Sequence, residues 1–225
     1  MEKTAPEEVL TMTIHICGDS TAAAYPPERA PLTGWGQLLG EHLPGVTIVN
    51  HAAPGCSSRS FLAENRLAPA TATLRPGDLL LIQFTHNDRG SHPDKRTHPR
   101  TTFLDMLNVY VDAALRSGAT PVLLTPIPVR LWEHGNLIDT HSEYPDAIRY
   151  LARTRDVPLL EITFPGMRVL RQMGEEASRQ LYMNLPAGVW PAYPDGLADD
   201  IHTQTAGAAL FAEMIARELQ EQGLV

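Results

Sequence analysis

Four apolar residues in a row, Leu79-Leu80-Leu81-Ile82, stand between the turn signal Arg75-Pro76-Gly77-Asp78 and the polar segment Thr85-His86-Asn87-Asp88. A strand with one face in water alternates apolar and polar residues. This run does not, so it predicts a strand covered on both faces, as in a parallel sheet flanked by helices. The rest of the chain fits that frame. Further β-rich runs at 11–17, 46–50, 121–125 and 159–162 alternate with helical patterns at 34–43, within 60–74, and at 101–117, 144–155 and 206–220. In the 101–117 helix, Phe103, Leu107, Tyr110 and Ala114 fall on one face, and Gly118 supplies the stop. In the last helix Phe211, Met214, Ile215 and Leu219 do the same. Strands alternating with helices through right-handed crossovers predict an α/β three-layer sandwich. Its expected core is a parallel five-stranded flavodoxin-like sheet, order 2-1-3-4-5, with helices on both faces.

Size and charge bound what such a fold does. A chain of 225 residues buries roughly 70% of its extended surface as one domain, so 1–225 reads as a single domain with 1–10 as a flexible N-terminal segment. Hydrophobic residues at 43% and charged ones at 20% exclude a disordered or fibrous chain. A net charge of −8 excludes nucleic-acid binding through a general basic face. The polar opening Met1-Glu2-Lys3-Thr4-Ala5-Pro6-Glu7-Glu8 lacks a signal-type apolar stretch, and no apolar run approaches the ~20 residues that span a bilayer. The expectation is a cytoplasmic protein without a membrane partner, although a chain processed from a longer precursor reads the same. The sequence does not specify an oligomeric state.

In doubly wound sheets, ligands bind beyond the carboxyl ends of the strands where strand order reverses. Gly18-Asp19-Ser20-Thr21 follows strand one, Ala53-Pro54-Gly55-Cys56-Ser57-Ser58 follows strand two, and Thr85-His86-Asn87-Asp88 follows strand three. The predicted order brings all three to one edge. A hydroxyl, a glycine-bearing backbone turn and a side-chain amide then share a cleft, which is raw material for acyl transfer. A serine nucleophile needs a base, itself oriented by an acid. Asp199-Asp200-Ile201-His202 stands just before the last helix. From a loop, Asp199 reaches Nδ1 of His202, whose Nε2 then faces Ser20. Asp200 is the rival acid, and adjacent parity directs it elsewhere. Taken singly, each segment is an ordinary turn or cap; joint occurrence at strand ends carries the reading.

These blocks make the chain resemble the SGNH (GDSL-type) hydrolases and, within them, the rhamnogalacturonan acetylesterase-like branch. The matching residues are Gly18-Asp19-Ser20-Thr21-Ala22, Asn50-His51-Ala52-Ala53-Pro54-Gly55-Cys56-Ser57-Ser58-Arg59-Ser60-Phe61, Gln83-Phe84-Thr85-His86-Asn87-Asp88 and Asp199-Asp200-Ile201-His202. Asp139-Thr140-His141-Ser142-Glu143-Tyr144-Pro145 is a weaker match. The resemblance implies Ser20 as nucleophile, a triad completed by Asp199 and His202, and no metal or cofactor. It further implies an oxyanion hole from the Ser20 and Gly55 N–H groups and the Asn87 side chain. The implied reaction is acetyl removal from a carbohydrate, with an oligosaccharide ester as the small-molecule partner. The branch often has glycine where this chain has Thr85, whose side chain is expected to narrow the approach or add a hydrogen bond beside the oxyanion hole.

Other residues are weighed against blander roles. Nine histidines raise a metal site, with His86, Asp88, His92 and His98 the nearest set, but none shows a ligand pair at helical spacing. The stretch 89–100 reads instead as a solvated basic loop at the cleft mouth, from which Arg89, Lys95 or Arg100 faces an acidic sugar polymer. Cys17 and Cys56 are too few for a disulfide framework and read as reduced core thiols. The stretches 126–142 and 182–202 lack periodicity, and long irregular loops in compact domains are usually functional. They nominate Trp132 and Trp190 as sugar-stacking residues, with packing under a loop equally open. His86, His141 and Tyr144 are further candidates for substrate binding. The rival functions are a lipid or thioester acylhydrolase of the same fold, separable by acyl-chain preference, and a non-catalytic sugar-binding relative, separable by an esterase assay. A flavodoxin-type nucleotide module lacks a phosphate-binding glycine loop after strand one.

Overall fold

The computed structural model describes residues 12–225, so the segment expected to be flexible at 1–10 lies outside the described residues. Its centre is a five-stranded parallel sheet of β1 (Thr13–Gly18), β2 (Thr47–Asn50), β3 (Leu79–Gln83), β4 (Thr120–Leu124) and a short β7 (Leu159–Leu160). The order β2-β1-β3-β4-β7 is the anticipated one, since β7 is the fifth strand of the sheet. Every residue of β3 is buried, as its unbroken apolar run requires.

The two faces of the sheet are separate cores. Ile14, Ile16, Leu79, Leu81, Val122 and Leu124 pack against α1 (Trp35–Leu38), α6 (Thr163–Met173) and α7 (Thr205–Glu221). Cys17, Leu80, Ile82 and Leu123 face α2 (Ser58–Ala63), α3 (Leu67–Thr73), α4 (Thr102–Arg116) and α5 (Tyr144–Arg155). The stripe Phe103, Leu107, Tyr110 and Ala114 is buried as its spacing predicts, and Gly118 ends α4 at φ +74°. Cys17 and Cys56 are both free, buried and in this second core; burial pushes both thiols up. No helix among the described residues is long and apolar enough to cross a membrane.

The structure corrects several local expectations. The single helix expected over 34–43 is a four-residue α1 followed by a 3₁₀ turn at Leu39–His42. Its glycines serve contact: a Cβ on Gly34 would lie 2.3 Å from the Ala23 carbonyl oxygen, and one on Gly36 2.5 Å from that of Ala22. The 60–74 pattern is two helices, broken where Asn65 takes φ 55°. α6 is not among the expected helices, and it contains both Pro165 and Gly166. The proline sits in the first turn, where no N–H is needed, and a Cβ on Gly166 would meet Pro128 at 2.8 Å. The stretch 126–142, expected to be irregular, carries a small hairpin of β5 (Trp132–Glu133) and β6 (Asn136–Leu137).

The last correction concerns Asp199 and His202, which lie on a strand and not in a loop. β8 (Tyr182–Leu185) pairs antiparallel with β9 (Leu197–Thr203). Between the pairs Tyr182–Thr203 and Asn184–Ala198, β8 advances two residues while β9 advances five. The surplus is a bulge that lifts Asp199, Asp200, Ile201 and His202 off the regular ladder. No apolar alternation marks such a strand, so periodicity missed it.

Candidate active site

Ser20 sits on the turn leaving β1. Among the contacts that hold that turn, Trp35 N–H donates to the Thr21 carbonyl at 2.9 Å and the Tyr25 hydroxyl donates to the Ser20 carbonyl at 2.7 Å, while Trp35 Nε1 donates to Gln83 Oε1 at 2.7 Å. Across from it, the β9 bulge presents His202. Asp199 Oδ1 accepts from the N–H groups of Ile201 and His202 at 2.8 and 3.0 Å, satisfying donors that the bulge takes from the ladder. Its Oδ2 lies 2.7 Å from His202 Nδ1, and His202 Nε2 lies 2.9 Å from Ser20 Oγ. The three expected residues are therefore a continuous hydrogen-bonded row. Burial opposes ionisation of Asp199, but the hydrogen bonds and charge of His202 outweigh it and hold the carboxyl below its ordinary range. The same bond to Asp199 raises His202 above the ordinary histidine value against the opposing effect of burial.

Asp200, the rival acid, points away. Its Oδ1 accepts from Arg130 Nη1 at 2.7 Å and Asn184 Nδ2 at 2.8 Å. Arg130 is buried and also bonded to Ser178 Oγ and the Glu175 carbonyl, so Asp200 anchors the base of the bulge.

The oxyanion candidates converge on the same cleft. Gly55 turns at φ +77°, in the left-handed region open to glycine. The Ser20 and Gly55 N–H groups have no acceptor among the described residues. Asn87 Nδ2 spends one hydrogen on the Cys56 carbonyl at 2.9 Å, which fixes the amide and leaves its second hydrogen available. The cleft has a volume of about 730 Å³, the size of a small-ligand site. Besides Ser20, Gly55, Asn87, Asp199 and His202 it is lined by Tyr25, Arg29, Leu32, Met183, Tyr193 and Leu197, among others. Sequence reasoning did not identify these six; no motif marks them, because the 24–32 segment and the β8–β9 connection become walls only when folded together.

The expected substrate residues fare unevenly. His86 reaches the cleft, with Nδ1 2.9 Å from Asp19 Oδ2 and Nε2 3.2 Å from the Ile127 carbonyl. His141 does not line it: the ring is buried behind His86, edge-on at 5.0 Å, and burial lowers it well below the ordinary value. The buried Tyr144 donates its hydroxyl to the carbonyls of Asp88 and Thr97, which makes it a tie for the 89–100 loop. Trp132 packs against the first core from the β5–β6 hairpin, and Trp190 packs beside Leu32, Met183 and Leu185. Neither tryptophan lines the cleft. Apart from the Ile127 carbonyl beneath His86, the 126–142 stretch contributes nothing to it. Thr85 is fully buried with its hydroxyl on the Phe84 carbonyl, so it neither narrows the approach nor joins the oxyanion donors.

In the basic loop, Arg89 donates to the Thr140 carbonyl and Arg100 pairs with Glu143 away from the cleft. Lys95 comes nearest, its Nζ 3.6 Å from where a Cβ on Gly55 would stand. Asp88 is buried beneath the loop and holds the start of α2 through Ser58. Burial raises its carboxyl to about 6 despite the hydrogen bonds from Ser58 and Thr97. Among the described residues no three His, Cys, Asp or Glu side chains are grouped to hold a metal ion.

Comparison with known proteins agrees with this picture. A family model described as GDSL-like Lipase/Acylhydrolase matches residues 16–210. The chain is 37% identical to rhamnogalacturonan acetylesterase RhgT of Bacillus subtilis, over 94% of this chain and 90% of that protein. It is 31% identical to the probable rhamnogalacturonan acetylesterase YesY of the same organism, over 94% of each. Among solved structures, the B. subtilis protein YxiM superposes with a TM-score of 0.81 at 24% identity, covering 99% of this chain and 60% of that longer one. Axe2, an acetylxylan esterase from Geobacillus stearothermophilus, shares the fold with a TM-score of 0.66 at 18% identity, covering 92% and 94%.

Proposed function

Because the chain belongs to the GDSL-like lipase/acylhydrolase family, we propose that it is a serine esterase that removes acetyl groups from an acetylated carbohydrate of the pectin or rhamnogalacturonan type. The observation that carries this reading is the row Asp199–His202–Ser20, with spacings of 2.7 and 2.9 Å, opening into a cleft beside Gly55 and Asn87. Relatives at 37% and 31% identity that bear the name of that activity supply the substrate class.

In this reading Ser20 Oγ attacks the ester carbonyl while His202 Nε2 takes its proton. Asp199 holds the ring with Nδ1–H toward itself and stabilises the imidazolium that forms. The Ser20 and Gly55 N–H groups and Asn87 Nδ2 receive the charge growing on the carbonyl oxygen. His202 then gives its proton to the departing sugar hydroxyl. Water, activated by the same base, attacks the acetyl-serine and releases acetate. The chain acts as one domain, because the site is drawn from segments as far apart as Ser20 and His202 and a division between them would split the row.

The deciding experiment is acetate release from a panel of acetylated pectic and xylan oligosaccharides. Release from the pectic members, absent in a Ser20→Ala control, supports the reading; no release from any carbohydrate ester removes it. The apolar wall of Leu32, Met183, Leu197 and Ile201 favours, as a second reading, a longer acyl chain. An optimum at acetyl that falls steeply toward octanoyl selects the sugar ester, and the reverse trend selects the acylhydrolase.

The pH dependence follows from the site. His202 must be neutral to act as base, and its bond to Asp199 raises it above the ordinary histidine value of 6.5. Activity is therefore lost as pH falls through a midpoint above 6.5, on the acid limb of kcat/KM. A pH–rate profile with its acid midpoint below that value contradicts the assignment.

A further inference from the structure

The turn that carries Ser20 contains a second carboxylate–histidine contact. Asp19 is wholly buried directly before Ser20, and His86 stands directly before Asn87. The 2.9 Å contact of Asp19 Oδ2 with His86 Nδ1 thus ties the nucleophile's turn to the turn of the oxyanion amide. His86 faces two acceptors, since Nε2 lies 3.2 Å from the Ile127 carbonyl oxygen. A neutral imidazole carries one ring hydrogen and serves only one of them; an imidazolium serves both. On the other side, Asp19 Oδ1 accepts from Thr21 N–H at 2.9 Å and from the Thr21 hydroxyl at 2.7 Å, donors that favour a carboxylate. Neither ring nitrogen of His86 is left to bind a sugar.

We propose that His86 is a positioning residue held as an imidazolium against Asp19, cross-bracing the Ser20 and Asn87 turns and cancelling the buried negative charge next to the nucleophile. The inference rests on the reading of His202 as the base. Uncancelled, the Asp19 carboxylate opposes the oxyanion and draws a proton onto His202, and Asp19 is among the charges that raise His202. Burial also opposes ionisation of Asp19, and the contact with His86 together with the Thr21 donors outweighs it. The charged and titratable neighbours of the pair are few. His141 abuts His86, with Arg89 beyond it, and Asp88 lies on the following turn. Tyr25, Arg29, Asp199 and His202 face it from the cleft side.

The test separates charge from shape. His86→Gln keeps a donor for Asp19 and removes the cation, while Asp19→Asn removes the anion. NMR titration of the His202 ring is expected to show its midpoint rising by about 0.5–1 pH unit in His86→Gln and falling by a similar amount in Asp19→Asn. The double variant restores it. A mere packing role moves the midpoint in neither single variant, or in the same direction in both, and either outcome overturns the proposal. If His86→Gln fails to fold, Asp19→Asn alone and the wild-type His86 ring decide: two ring N–H signals at neutral pH are expected, and one overturns the proposal. The acid limb of kcat/KM on p-nitrophenyl acetate is expected to follow the His202 midpoint. If the midpoint moves as expected but the limb does not follow, the electrostatic pair stands and the reading of His202 as base fails.

Discussion

Replacing Ser20 with alanine is expected to lower ester hydrolysis by about 10⁴-fold or more, because in the proposed mechanism the nucleophile and its covalent intermediate are both lost. What remains is the contribution of the oxyanion donors and binding, which a triad deletion leaves in place. The fold is expected to survive. The side chain loses one oxygen, the hydrogen bond removed is the one to His202 Nε2 at 2.9 Å, and the turn keeps its backbone ties to Trp35 and Tyr25. The measurement is acetate release from an acetylated substrate together with the thermal midpoint. Activity persisting in a clean preparation of the folded variant removes Ser20 from the mechanism.

The second large effect distinguishes two adjacent carboxylates. Asp199→Asn is expected to reduce kcat by about 10⁴-fold, since an amide in place of Oδ2 either presents N–H to Nδ1 or fails to hold the tautomer that leaves Nε2 free to accept. Asp200→Asn acts on stability instead. It removes the anion facing Arg130, a buried guanidinium, and is expected to cost about 1–3 kcal/mol of folding free energy. Denaturant melts and steady-state kinetics on the two variants check the contrast. If Asp200→Asn shows the large loss in kcat and Asp199→Asn the loss in stability, the roles are reversed.

Much of this was legible before folding. The unbroken apolar β3 announced a doubly covered sheet, and the alternation of strands and helices made it parallel; the order 2-1-3-4-5 was the expectation for a flavodoxin-like sheet, and the structure has it. The polar blocks at three strand ends, together with Asp199 and His202, named the residues that the structure gathers in one cleft. The misses have a common cause. Trp132, Trp190, His141 and Tyr144 were nominated by residue type within irregular or partly matching segments. Whether an aromatic faces a cleft or a core depends on neighbours far away in sequence. Thr85 was misjudged for the same reason, its hydroxyl being turned to its own chain.

Local pattern therefore determined the layers and the candidate reacting groups, because those rest on short-range periodicity and on side-chain chemistry. Spacing and parity already favoured Asp199 over Asp200 as the partner of His202, but only the tertiary structure supplied the means, three surplus residues in β9 that no periodicity records. It also decided that His86 faces Asp19 and a carbonyl, a contact between residues 67 apart in the chain. Hydrogen bonds of that separation exist only after the sheet has brought the ends of β1 and β3 together, so no local reading could contain them.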